Sequence, residues 1–474
     1  MNVAGKKILV VGIARSGVAA ARLLATHGAR VTANDAKDEA QLAREADELR
    51  AAGVRLVPGG HPDELFADAD LIVLSPGVPA DLPPLESARR NGVEIISEPE
   101  LAGRFLRGRM IGITGSNGKT TTTALTGELM KAAGAQVIVG GNIGTPLTSL
   151  IEQSNDETWA VAELSSFQLE MIDSLRVHVA VVTNITPDHL DRHGTFENYV
   201  RAKHRIFRNQ TADDFAVLNG QDSAVDDMVR ALGVNSRTVY FSSRGPQTIA
   251  GSAPAIYVRD GRLFTTLMAD RQSEVEVMPI ADIPLRGMHN VENVMTALAA
   301  VFCAMRTQAA DLPVLVAAVK QFPGVEHRIE YVAEIDGVKF YNDSKATNVD
   351  STVKALEAFE RNVIVILGGK DKGSDYTTLA PLVRERVKQV VLLGAASDKI
   401  AAQLGGVRPM IRAASMQDAV QQAMQAAEAG DTVLLAPACA SFDMFDNYEH
   451  RGRVFKQEVR SLASRSEAAT QNKD

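Results

Sequence analysis

The chain has 474 residues, 45% of them hydrophobic and 23% charged, so it carries enough apolar material for two or three packed cores and is not a disordered polymer. Its 50 basic and 58 acidic residues leave a formal net charge of -8, which excludes a strong basic field for nucleic acid. Two cysteines, Cys303 and Cys439, are too few for a disulfide framework or a cysteine zinc site and suit a reducing cytoplasm; without an export signal or an uncharged apolar run of about 18 residues, no membrane insertion is expected.

The first segment alternates strand and helix. Lys7–Val11 is a short apolar strand, Gly12-Ile-Ala-Arg-Ser-Gly17 a turn, and Val18–Thr26 a helical stretch closed by Gly28. Strands follow at 29–34, ending on Asp35, and at Leu71–Leu74, ending in Ser75-Pro-Gly-Val78. This βαβ series closes near residue 98. A second series opens at Met110–Ile113 and adds strands at Thr158–Ala162 and Val177–Thr183. The Ser242–Pro254 stretch reads as a surface loop, and Asp260-Gly261 between 255–258 and 262–265 predicts a hairpin. Leu285–Met305 has a helical pattern, and this part ends near 323. A third series has strands at Val338–Tyr341, Val363–Leu367, Val390–Leu393 and Thr432–Leu435, then a polar tail, Ser464–Asp474, expected to fray. The prediction is an α/β protein with domains 1–98, 99–323 and 324–474.

Chemistry concentrates at strand ends. Thr114-Gly-Ser-Asn-Gly-Lys-Thr120 lies between a strand and a helix, where inward-facing N–H groups can cradle phosphate, Lys119 can reach the terminal phosphates and Thr120 can hold Mg2+. A strict phosphate loop has glycine where this chain has Ile113, so an ordinary glycine-rich turn is the competing reading. Glu163 follows the next strand and is placed either to hold Mg2+ or simply to be solvated. Thr183–His193 is dense in Asn, Asp and His; His189 is a candidate metal ligand, with Asp188 or Asp191 orienting it. On periodicity alone Lys203 is one lysine of a solvated helix face. In the first turn, Ala14 replaces the middle glycine of a dinucleotide loop, which disfavours NAD and leaves room for a nucleotide bound in another way, with Asp35 near the position of a ribose-binding carboxylate.

Together these stretches resemble the Mur ligase family, the ATP-dependent amide-forming enzymes of peptidoglycan assembly. The resemblance spans nearly the whole chain: Gly115–Thr121, Gly141-Asn-Ile-Gly144, Glu163–Glu170, Asp188–Arg192, Met288–Asn293, His327-Arg328, Asn342–Asn348 and Pro437–Ser441. The last two runs look particular to the D-glutamate-adding branch. The resemblance implies a Rossmann-like UDP-binding domain, a central P-loop ATPase-like domain with a parallel sheet and a small β excursion, and a Rossmann-like C-terminal domain. It assigns Arg15, Ser16, Asp35, Ser75, Pro76, Gly77 and Asn142 to the UDP-sugar. ATP would be bound by Gly115, Ser116, Asn117, Gly118, Lys119, Thr120, Thr121, Asn290, Asn293, Arg328 and Asp343.

By the same resemblance, Thr120 and Glu163 would hold one Mg2+, and His189 with a carbamylated Lys203 the second. This implied role reverses the bland reading of Lys203 and makes Lys119, His189 and Lys203 the catalytic set. Lys345, Thr347, Lys372, Ser441, Phe442 and Tyr448 would bind glutamate. The implied reaction adds D-glutamate to UDP-N-acetylmuramoyl-L-alanine through an acyl phosphate, in a cytoplasmic monomer. An L-glutamate-adding homologue, another Mur ligase or a folylpolyglutamate-type ligase is the alternative.

Overall fold

In the computed structural model, residues 1–142, 144–249, 251, 253–271 and 273–471 are described. Ile143, in the Gly141–Gly144 run, lies outside them. The chain packs as two compact units, Met1–Ile283 with His289–Phe322, and Pro284–Met288 with Pro323–Asp474.

The first unit holds two sheets. One has five parallel strands in the order Arg55–Val57, Arg30–Asn34, Lys7–Val11, Leu71–Leu74, Glu94–Ser97. The two strands that the apolar runs announced, Lys7–Val11 and Leu71–Leu74, are its central pair and are buried on both faces, which is why they read as unbroken hydrophobic runs. Strand order reverses between them, and at that point their C-terminal ends leave a crevice bordered by the Gly12–Gly17 turn and Ser75. Helix Arg15–Thr26 turns Val18, Ala21 and Leu24 inward. A Cβ on Gly17 would meet the Gly12 carbonyl oxygen at 1.9 Å, so only glycine lets this helix close on the strand end.

The other sheet has nine strands, in the order Val275–Pro279, Arg262–Thr265, Ala255–Arg259, Arg237–Ser242, Phe215–Asn219, Val179–Val182, Arg109–Thr114, Trp159–Glu163, Val137–Gly141. All neighbours run parallel except the last two pairs at the 275–279 edge, the antiparallel excursion. Asp260 (φ 49) and Gly261 (φ 70) make the hairpin turn that their dipeptide predicts.

The second unit carries a six-stranded sheet, Glu330–Ile335, Val338–Asn342, Thr432–Leu435, Val363–Leu367, Val387–Leu393, Met410–Ala413; only the Glu330–Ile335 edge is antiparallel. One expectation is corrected. The helix expected from Leu285 begins at Met288, because Pro284 and Gly287 (φ 89) punctuate the chain before it. Helix Tyr448–Gln471 runs into the tail expected to fray from Ser464, and just before that point Leu462 and Ala463 pack on the sheet's apolar cluster. Residues 472–474 lie outside the described residues.

Candidate active site

In the first unit, four neighbouring parallel strands of the large sheet end at one edge. Their C-termini deliver Thr183 onward, the Gly115–Thr120 loop, Glu163 and Asn142 side by side. The loop is pinned from the Thr183 side. Thr183 Oγ1 donates to the Asn117 carbonyl (2.6 Å), the Asn117 N–H donates to Asn184 Oδ1 (2.9 Å), and Ser116 Oγ bridges Thr186 and the Tyr199 hydroxyl. Gly118 adopts φ 83, and a Cβ there would meet Asn293 Oδ1 at 2.3 Å. Thus Asn293, from helix Met288–Met305, is seated against the loop; its amide donates to Asn290 Oδ1 (3.0 Å) and accepts from Thr122.

Two lysine side chains converge on this loop. Lys119 Nζ donates to the carbonyls of Gly115 and Ser116, each at 2.9 Å. Lys203 Nζ reaches the same Gly115 carbonyl at 2.7 Å. Lys203 is not on a solvated face: it is 1% exposed, on the buried side of helix Phe196–His204, and its Nζ lies 4.6 Å from the Tyr199 ring centre. Burial, then repulsion by Lys119, drive its pKa well below the ordinary lysine value, so the amine is held towards its neutral form. Glu163 is equally buried and accepts from Asn142 Nδ2 at 3.1 Å. His189 is exposed, caps a short helix with φ 53 and has Asp188 Oδ2 3.5 Å from Nε2. The side chain of Asp191 lies outside the described residues.

These donors suit a divalent cation: a buried carboxylate, a threonine hydroxyl in the first turn of the loop helix and an accessible imidazole. A separate gathering, Glu326, His327 and Glu330 in the second unit, suits one less well. Lys456 Nζ already spans both carboxylates at 2.6 and 2.8 Å. Asn342 Nδ2 donates to Glu330 and faces His327 Nδ1, while its Oδ1 accepts from Ser344, so Nδ1 accepts and the ring proton sits on the Nε2 that a metal would need.

At the first crevice, Asp35 serves the turn itself, accepting from the Ile13 N–H (2.6 Å) and the Lys37 N–H (2.9 Å). Ser75 Oγ donates to the Gly12 carbonyl (2.7 Å), while Arg15 is exposed. Pro76 is half-buried and Gly77 exposed. Arg192, within the Asp188–Arg192 run, stacks on Phe167 and donates to the Val78 carbonyl (2.9 Å), so the Ser75–Val78 loop is tied to the large sheet's edge.

In the second unit three parallel neighbours end together and bring Asp343 and Lys345, the Gly368–Gly373 loop, and Ser441 to one edge. Lys345 Nζ sits 3.9 Å over the Tyr448 ring. Asp343 is buried beside Arg328, and burial raises its carboxyl to about 7. The Thr347 N–H donates to the Lys345 carbonyl. Lys372 is exposed, Ser441 buried, and Phe442 67% exposed. Sequence reading missed Tyr199, whose hydroxyl supports the loop, and Arg451, a fully buried guanidinium donating to Ser344 and to the Cys439 and Ala440 carbonyls. Only their position in the fold marks them out.

Three family descriptions match this chain in succession: the Mur ligase MurD-like N-terminal domain over 6–97, the Mur ligase middle domain over 113–301, and the Mur ligase glutamate ligase domain over 327–439. The chain belongs to the Mur ligase family. Among its relatives, the UDP-N-acetylmuramoylalanine--D-glutamate ligase of Koribacter versatilis is 50% identical over 98% of this chain and 99% of its own length. The protein of the same name from Acidobacterium capsulatum is 49% identical over 100% and 99%. Solved Mur ligases share the fold at lower identity. UDP-N-acetylmuramate-alanine ligase from Thermotoga maritima superposes with a TM-score of 0.58 at 19% identity, covering 96% of this chain and 100% of that one. A pseudomurein peptide ligase type C from Methanothermus fervidus gives 0.57 at 20%, covering 97% and 100%.

Proposed function

We propose that this Mur ligase joins D-glutamate to UDP-N-acetylmuramoyl-L-alanine, with ATP converted to ADP and phosphate. The observation that carries the catalytic reading is the convergence of Lys119 and Lys203 on the Gly115 carbonyl, beside buried Glu163. Near-full-length identity of about half with D-glutamate ligases supports the choice of substrates.

A free carboxylate resists attack by an amine, because an oxide ion is a very poor leaving group. The alanyl carboxylate therefore attacks the γ-phosphorus of ATP, the bond to the ADP oxygen breaks, and an acyl phosphate forms. The glutamate amine then attacks the acyl carbon, loses a proton, and expels phosphate. Both partners in the first step are anionic, so the loop N–H groups of Gly115–Thr121 and the Lys119 ammonium offset their repulsion. Mg2+ held by Thr120 and Glu163, and a second ion held by His189 and carbamylated Lys203, would neutralise charge on the phosphate oxygens. Lys203 suits carbamylation because burial lowers its pKa and so favours the free base, the form with which CO2 reacts.

Asn290, Asn293, Arg328 and Asp343 are assigned to the nucleotide. Arg15, Ser16, Asp35, Ser75, Pro76, Gly77 and Asn142 are assigned to the UDP-sugar, and Lys345, Thr347, Lys372, Ser441, Phe442 and Tyr448 to glutamate, whose two carboxylates call for cations. Functional boundaries are proposed near residues 98 and 323. The reading includes a cytoplasmic monomer; among the described residues no helix is long and apolar enough to cross a membrane. The test is phosphate release with ATP and UDP-N-acetylmuramoyl-L-alanine, comparing D-glutamate, L-glutamate and meso-diaminopimelate. Turnover with D-glutamate alone is expected; no release with either glutamate enantiomer overturns the proposal.

A further inference from the structure

The loops after Val363–Leu367 and Thr432–Leu435 leave adjacent parallel strands, and one carries Lys372 while the other ends on Ser441. They are stitched by backbone: the Gly368 N–H donates to the Pro437 carbonyl (2.8 Å), and Lys370 and Ala440 exchange bonds at 2.8 and 3.1 Å. One side chain adds a third tie. Tyr376 is 0% exposed, yet its hydroxyl meets polar groups from both loops: Asp371 Oδ1 at 2.8 Å, to which it donates, and Cys439 Sγ at 3.0 Å. The other oxygen of Asp371 accepts from Lys399 Nζ at 2.9 Å, and Oδ1 also takes the Ser374 N–H. The bond from Lys399 is the leading cause that holds this carboxyl down to about 2, so it is an acceptor throughout the working range. A hydroxyl buried in an apolar cluster is costly unless bonded, and both of its bonds here go to the loops rather than to the core.

We propose that Tyr376 and Asp371 are positioning residues for the incoming amino acid: the Cys439–Tyr376–Asp371 chain of bonds sets the spacing between the Lys372 and Ser441 arms of the glutamate site. This rests on the assignment of Lys372 and Ser441 made above. Lys372 is one residue beyond Asp371 and Ser441 two beyond Cys439, so slack at the joint passes directly into both arms. Neither positioning residue needs to touch substrate.

Tyr376→Phe keeps the ring in its cluster and removes only the joint. The variant is expected to raise the glutamate KM about tenfold, as for loss of one or two hydrogen bonds, with the KM values for ATP and the UDP-sugar and the kcat at saturating glutamate within about twofold of the parent. Asp371→Asn should show the same split, and the double variant should be little worse than either single one, because both cut the same chain. An unchanged glutamate KM, or an equal rise for all three substrates, overturns the proposal. If Tyr376→Phe does not fold, Asp371→Asn alone decides by the same KM split. A parent enzyme that releases no phosphate with glutamate instead overturns the function proposed above, and the two failures are thereby separate.

Discussion

Lys203 illustrates how one side chain can be read in opposite ways. A lysine among Arg201, His204 and Arg205 looks solvated, but the helix turns it inward, and burial makes its charge unfavourable. Lys203→Ala is expected to abolish most phosphate release, and acetate is expected to restore part of it by supplying a carboxylate where a carbamate would stand. Activity at the parent level in Lys203→Ala would remove carbamylation from the mechanism. Lys119→Ala is expected to lower kcat by about 100- to 1,000-fold, the range seen when one donor to a developing anion is lost. Single-turnover phosphate release checks it, and a near-normal rate would show that the loop does not hold ATP.

At the scale of elements, the turn from strand Arg109–Thr114 into helix Lys119–Ala132 depends on Gly118. An alanine there would occupy a left-handed conformation that costs about 1–2 kcal/mol, and its methyl would press on Asn293. Gly118→Ala should therefore lower the melting temperature modestly and raise the ATP KM by about tenfold or more, with the glutamate KM little changed; titration of initial rates against each substrate distinguishes these. Central strands were legible because burial on both faces writes an unbroken apolar run, as in Lys7–Val11 and Val363–Leu367. Edge strands were harder to see. Met410–Ala413 has no buried residue, and Val137–Gly141 ends in two glycines, so neither carries the pattern.

At the scale of the molecule, the first unit is joined through two buried carboxylates on helix Glu98–Phe105. Glu98 Oε1 accepts from the N–H and the hydroxyl of Thr148, both at 2.7 Å, and Glu100 gathers the N–H groups of Asp173, Ser174 and Leu175. Full burial raises Glu98 from 4.5 to about 7. The folded state then binds a proton that the unfolded state releases, so stability is greatest below the unfolded value and falls as pH rises from about 4.5 to about 7. The difference amounts to about 3 kcal/mol across that window. Thermal melts should show the parent losing several degrees more than Glu98→Gln between pH 5 and pH 8; parallel curves would mean that Glu98 does not titrate there.

Much was determined by the sequence alone: three α/β segments, a phosphate-type loop at a strand end, and the motifs of the family, because strand burial and glycine turns leave local marks. What only the tertiary structure decided is which distant groups meet. Thr122 and Asn293 are separated by 171 positions, and the Arg451 guanidinium lies 107 positions from the Ser344 it holds. Such contacts arise from the order of strands in a sheet, and the free energy of burying a charge or a hydroxyl depends on neighbours that local sequence does not specify.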